Sequence, residues 1–324
     1  MAVAALVLAG VSAAPPVGPT LSVSGGTLHV DGRPAFLLGV SLFDALGPTP
    51  PRDEDLDTLR GWGVRLVRVW AHWHEPIYQA DGALTAQGRT RLLRLATRLQ
   101  ARGLILELVL LRPGQLPGQP YVVFASEAAR VRSVAALTTA LKDFRNILFD
   151  LYNEHDHPDG PISHSAARAL RDAVKAIDPA RLVTISSTEY HLVNAAGQVG
   201  ETEARNLGEE AGRAANQVGV DLVAPHFPRT ADWAASTGTR IAAVRSALAR
   251  IGQTMPIYLN EERRANDRPI PIDAYRQAFS LARESGAAGW VFHTDAGFSL
   301  DKQPFVDALT ADERAGLERL VRAK

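Results

Sequence analysis

No cysteine occurs in the 324 residues, which excludes disulfides, thiolate metal sites and a cysteine nucleophile. Net charge is also missing, since 35 basic residues balance 35 acidic ones. That removes the electrostatic footprint of a nucleic-acid or anionic-membrane binder and points to a neutral partner. Lysine is scarce, present only at 142, 175, 302 and 324, so the positive charge is almost all arginine. Long apolar runs are absent apart from Met1–Ala14, an Ala/Val/Leu segment too short to span a bilayer. It ends Val11-Ser12-Ala13-Ala14 before Pro15-Pro16 and lacks a basic start. The pattern is that of a secretory leader. We expect residues 1–14 to be a signal peptide, the remainder to be secreted or periplasmic, and no membrane contact after removal. With 46 % hydrophobic and 22 % charged residues, the rest reads as one globular domain, 21–324, with a large core.

After the proline-rich joint, Leu21–Val23 and Thr27–Val30 flank Gly25-Gly26, a short β-hairpin. From residue 36 the pattern changes to short apolar runs alternating with longer 3.6-period segments. The strand candidates are Phe36–Val40, Val64–Trp70, Leu104–Leu110, Ile147–Tyr152, Leu182–Ser186, Leu222–Pro225, Ile257–Asn260 and Ala288–His293. Helices are expected near 53–60, 84–101, 126–142, 163–177, 199–217, 233–251, 272–285 and 310–322. Asp53, Ser126, Ser163 and Asp232 read as caps, and Gly61, Gly103 and Gly286 as stops. Continuous apolar strands bounded in this way suit a parallel sheet covered on both faces. Eight such units predict an α/β fold, a single (β/α)8 TIM barrel with an N-terminal β-hairpin cap; a doubly wound open sheet is the alternative.

Active sites of such barrels form at the C-terminal strand ends. Here those ends carry Ser41, Phe43 and Asp44; His72-Trp73-His74-Glu75; Arg112; Asn153-Glu154-His155-Asp156-His157; Glu189-Tyr190-His191; His226-Phe227-Pro228-Arg229; Glu261-Glu262-Arg263; and His293-Thr294-Asp295. Seven of the nine histidines fall there; His29 and His164 do not. Aromatic rings, donors and acceptors together suit a neutral polyol, hence an oligo- or polysaccharide. Nothing points to nucleic acid or to a protein partner. Arg68, inside Val67-Arg68-Val69, needs a carboxylate if buried.

Phe149-Asp150-Leu151-Tyr152-Asn153-Glu154 closes the fourth unit and Met255-Pro256-Ile257-Tyr258-Leu259-Asn260-Glu261 the seventh. On these segments the sequence resembles the clan A retaining glycoside hydrolases, and among them glycoside hydrolase family 5, the cellulase and mannanase group. The resemblance implies Glu154 as acid/base and Glu261 as nucleophile, with Glu262 as the alternative nucleophile if the register is off by one. It also implies that Arg68 contacts the nucleophile, that Asn153 bonds the sugar 2-hydroxyl, and that His226 matches the clan's sixth-strand histidine. His72, Trp73, Trp290 and His293 complete the expected substrate-binding set; Trp233 is a further stacking candidate, while Trp62 and Trp70 read as core. No metal or other cofactor is implied. The third strand lacks the family's histidine, the sixth has His226-Phe227-Pro228 in place of His-x-Tyr, and His293 stands where the eighth carries Trp. Two other readings stay open. One is a sugar-binding barrel without turnover. The other is a metal-dependent barrel hydrolase using His72-x-His74, His155-x-His157 and a carboxylate such as Asp295.

Overall fold

A computed structural model of the chain describes residues 18–71, 73, 75–114, 122–188, 208–264 and 270–322. The expected leader, 1–14, and His72 and His74 lie outside the described residues. Three short strands open the fold, β1 (Leu21–Ser24), β2 (Thr27–Val30) and β3 (Arg33–Pro34), paired as an antiparallel meander. The two-residue turn at Gly25-Gly26 has positive φ at both positions, which glycine adopts without a Cβ penalty.

The apolar runs then supply β4 (Leu37–Ser41), β5 (Leu66–Trp70), β6 (Ile105–Val109), β7 (Ile147–Asp150), β8 (Leu182–Thr184), β9 (Ser186–Ser187), β10 (Ala224–Pro225), β11 (Tyr258–Leu259) and β12 (Gly289–Phe292). Seven form one parallel sheet in the order β11-β12-β4-β5-β6-β7-β8. β9 continues the line of β8 and pairs in parallel with β10. Just before β10, Val223 makes a parallel bridge to Ile257, just before β11. The sheet is TIM-like in its order and curl. Between the strands run α1 (Asp53–Gly61), α2 (Ala86–Ala101), α3 (Glu127–Leu141), α4 (His164–Ile177), α5 (Trp233–Arg250) and α6 (Ile272–Glu284), followed by α7 (Phe305–Ala308) and α8 (Ala311–Arg322). Ser126 and Ser163 cap their helices by accepting from Ala129 N and Ala166 N. Asp53 is instead inside its helix, where its charge suits the dipole, and Asp232 sits at the cap without a side-chain capping bond, its carboxylate accepting from Thr230 Oγ1.

Side-chain alternation divides the core into two. Leu38, Val40, Val67, Val69, Leu106, Leu108, Phe149, Val183, Leu259, Trp290 and Phe292 face the helices in the larger cluster. Leu37, Leu66, Ile105, Leu148, Leu182, Leu222, Tyr258 and Val291 point inward, where Leu21 and Leu28 of the meander pack against them. The meander therefore plugs the N-terminal end of the sheet. The next inward layer is polar, and it opens towards the C-terminal ends.

Candidate active site

Two residues beyond the apolar layer, the inward positions of β5, β6 and β7 are Arg68, Glu107 and Asp150, all fully buried. Arg68 Nε donates to Glu107 Oε1 at 3.2 Å, and Nη2 donates to Asp150 Oδ2 at 3.1 Å and Asn153 Oδ1 at 2.6 Å. Nη1 donates to Glu261 Oε2 at 2.7 Å. The guanidinium also lies 4.3 Å from the Trp70 ring centroid. Burial works against the charge of Arg68, but Glu107, Glu261 and Asp150 outweigh it and keep the guanidinium protonated. One cation thus orients carboxylates from three directions, and removing it would strand buried negative charge. Glu107 also accepts from Tyr258 OH at 2.7 Å and Asn260 Nδ2 at 2.7 Å. Glu107, Asp150, Tyr258 and Asn260 were not singled out in the sequence; a lone carboxylate inside the apolar run of β6 was the signal available for the first.

Glu154 and Glu261 face each other above this belt. Carboxylate oxygens of the two lie within 4.8 Å, and a ring nitrogen of His226 lies within the same distance of both. His226 Nδ1 is 3.1 Å from Glu154 Oε1, and its Nε2 is 3.9 Å from Glu261 Oε2. Burial disfavours the imidazolium, yet Glu261 and Glu154 raise its pKa. Glu154 has φ +49°, a left-handed conformation that is strained for a non-glycine residue and recurs at functional sites. Ser186 helps to hold it there: Glu154 N donates to Ser186 Oγ at 3.1 Å, and Ser186 Oγ donates to Asp150 Oδ2 at 2.8 Å.

Glu261 Oε1 also accepts from Arg229 Nη2 at 3.0 Å, and His293 Nε2 stands 3.4 Å from the same oxygen. Burial opposes ionisation of Glu261, but the cationic groups around it, His226 and Arg68 among them, hold the carboxyl well below the usual carboxylate range. Burial pushes His293 down to about 3 against the pull of Glu261, so the ring is neutral near pH 7. Its Nδ1 lies 2.8 Å from Ser41 Oγ. Donation by the serine hydroxyl to Nδ1 places the ring proton on Nε2, facing Glu261. Where the sixth strand offers Phe227, the carboxylate is held by Arg229, with His293 beside it.

Other expected residues divide clearly. Asn153, nearly buried, has its Oδ1 fixed by Arg68, which turns its amide nitrogen the other way. Trp73 joins Phe43, Trp70 and Phe298 in a ring cluster, with Phe43 stacked on Trp70 at 3.9 Å and Trp73 at 5.0 Å from Phe298. Only 7 % of Trp73 is exposed. Trp290 is not a platform: its neighbours Val291 and His293 take the inward positions, so Trp290 faces the helices and packs on Phe279 of α6. Trp233 is likewise core, against Tyr275. Glu262 is buried just past Glu261. His155 and His157 do not converge on one point, because His155 turns to Glu210 while His157 Nδ1 accepts from Asp159 N. Asp295 pairs with Arg264.

The belt carries a pH signature. Burial pushes Glu107 up to about 7, against Arg68 and its hydrogen-bond donors. Between pH 4.5 and 7 the unfolded chain has lost this proton while the native chain keeps it, so its contribution to stability falls as pH rises through that window. Glu107→Gln mimics the protonated acid: Oε1 keeps Arg68 and Asn260, and the amide donates to Tyr258. Urea unfolding at pH 4.5 and 7 is expected to show the wild type losing about 1–3 kcal/mol relative to the variant. Parallel pH dependences in the two proteins would contradict this.

No protein-family model and no curated protein matches the chain. Solved structures do. An exo-β-1,4-mannosidase from Opitutaceae bacterium strain TAV5 superposes with a TM-score of 0.68 at 18 % identity over 93 % of this chain, which spans 62 % of that one. A β-glucanase from Saccharophagus degradans in complex with cellotetraose gives 0.65 at 12 % identity, covering 94 % of each chain. An endo-1,4-β-mannanase from Eisenia fetida gives 0.60 at 16 % identity over 93 % of this chain and 95 % of that one. At these identities the likeness establishes the fold: the chain is built on the scaffold that these three proteins share.

Proposed function

We propose that this chain is a retaining glycoside hydrolase, its sheet closed as an eight-stranded barrel and its substrate a neutral β-linked glycan. The observation that carries the reading is the pair of carboxylates facing each other, an oxygen of each within 4.8 Å of the other, short of the roughly 6.5–9.5 Å gap that an inverting pair leaves for water. The scaffold supports it, as does the β-1,4-linked chemistry in the names of two of the proteins that share it. Glu261, kept ionised by its cationic neighbours, attacks the anomeric carbon as the bond to the leaving oxygen breaks. Glu154 delivers a proton to that oxygen and then takes one from the water that hydrolyses the glycosyl ester. His226, between the two, lies 3.1 Å from Glu154 and 3.9 Å from Glu261 and bridges the pair. Asn153, its oxygen occupied by Arg68, presents its amide hydrogen to the sugar 2-hydroxyl. Trp73 edges the same mouth. Export by way of the 1–14 leader fits an enzyme whose substrate is a polymer outside the cell.

Trapping tests this. A 2-deoxy-2-fluoro-β-glycoside with a good leaving group slows both steps and the second more, so the ester accumulates. Peptide mass spectrometry is expected to find one added fluorosugar, on Glu261. A label on Glu262 would move the register by one, and a panel of gluco- and manno-configured reagents leaving no label would favour the binding-only barrel.

A further inference from the structure

Next to Glu154 in the chain, three ligating side chains meet from three segments. His155 follows Glu154 in the loop after β7, His164 begins α4, and Glu210 comes from the helical residues 208–213. His155 Nε2 lies 2.9 Å from Glu210 Oε1, and His164 Nε2 lies 2.8 Å from the same oxygen. One ligand atom of each lies within 4.8 Å of the other two. His155 is 2 % exposed. The other carboxylate oxygen, Oε2, is held by Arg213 Nε at 2.8 Å, the kind of outer partner that orients a ligating carboxylate.

From these contacts we propose that His155, His164 and Glu210 form a zinc site, separate from the pair of catalytic carboxylates. Two imidazole nitrogens and one carboxylate oxygen are a ligand set that divalent zinc takes in tetrahedral geometry, with water as the fourth ligand. Zinc–ligand bonds of about 2.0–2.2 Å put neighbouring ligand atoms about 3.3 Å apart, so the two N···O gaps of 2.9 and 2.8 Å widen slightly. A cavity of about 10 Å³ adjoins His155, Ser187 and Glu210, which is room for a single water. Bound there, zinc ties the loop that carries Glu154 to α4 and to the helical segment 208–213.

The test needs no glycan, so its outcome is independent of the hydrolase reading. Purified full-length protein is stripped with a chelator, dialysed and titrated with zinc chloride by calorimetry. Wild type is expected to bind one zinc per chain. His164→Ala and Glu210→Gln, both at partly exposed positions, are each expected to weaken binding at least about ten-fold, a loss that even outer-sphere changes produce. Cobalt in place of zinc is expected to show the visible bands of a tetrahedral ion in wild type and to lose them in both variants. The proposal is overturned if the wild type takes up no zinc. It is equally overturned if either variant keeps wild-type affinity, since the ion then sits elsewhere, for instance among Glu154, His226 and Glu261.

Discussion

Glu261→Ala is expected to lower kcat for an activated aryl glycoside by on the order of 10⁴–10⁶, the scale of losing a nucleophile that acts with its partners as a unit. The protein should remain folded. Arg68 keeps Glu107 and Asp150 as counter-charges, and Arg229, whose side chain is 26 % exposed, turns to water. What disappears is the covalent route, while Glu154 still stands opposite. Azide fits the space that the carboxylate leaves, and the guanidinium groups of Arg68 and Arg229, which had neutralised Glu261, attract the anion. A single displacement by azide then yields a glycosyl azide of inverted configuration, readable by proton NMR. Rescue of Glu262→Ala in place of Glu261→Ala would transfer the role to the neighbouring residue. Failure of azide to rescue either would remove the support for a nucleophilic carboxylate at the end of β11.

Much of this could be read before the structure, for reasons that differ from residue to residue. Arg68 stood out because a lone cation in an apolar strand must find an anion when buried. Glu107 carries the same signature in β6, and parallel pairing sets it directly beside Arg68 in register; reading the two strands together would have found it. Alternation would also have turned Trp290 outward once His293 was placed inward. The choice between Glu261 and Glu262 could not be made that way. Tyr258 and Asn260 point inward, so strict alternation selects Glu262, but the ladder ends at Leu259 and the chain turns Glu261 toward Arg68 instead. Past the end of a ladder, parity no longer fixes direction. The meeting of His155, His164 and Glu210 was illegible for another reason. Glu210 lies 46 positions past His164, and no local spacing encodes its approach to the two histidines.

Glu154→Gln separates the two steps of the proposed reaction. Glutamine keeps the shape and the contact with His226 but has no proton to give, so substrates with poor leaving groups are expected to lose 10²–10⁴ in kcat/KM, the usual reach of general acid catalysis. A dinitrophenyl glycoside needs no such proton. Its glycosylation step is expected to stay within about ten-fold of wild type, while hydrolysis of the ester, which lacks its general base, becomes limiting. A pre-steady-state burst of dinitrophenol, absent or small in wild type, follows from that change of limiting step. A steeper dependence of kcat/KM on leaving-group pKa completes the signature. If all leaving groups lost the same factor, Glu154 would act by placing the substrate and the proton would come from elsewhere. His226 is the nearest imidazole, 3.1 Å from Glu154 and fully buried. Its raised pKa keeps a proton available above the ordinary histidine range. A steeper leaving-group dependence in a Glu154→Gln, His226→Asn double variant than in Glu154→Gln alone would then identify it as the donor, whereas an unchanged dependence would exclude it.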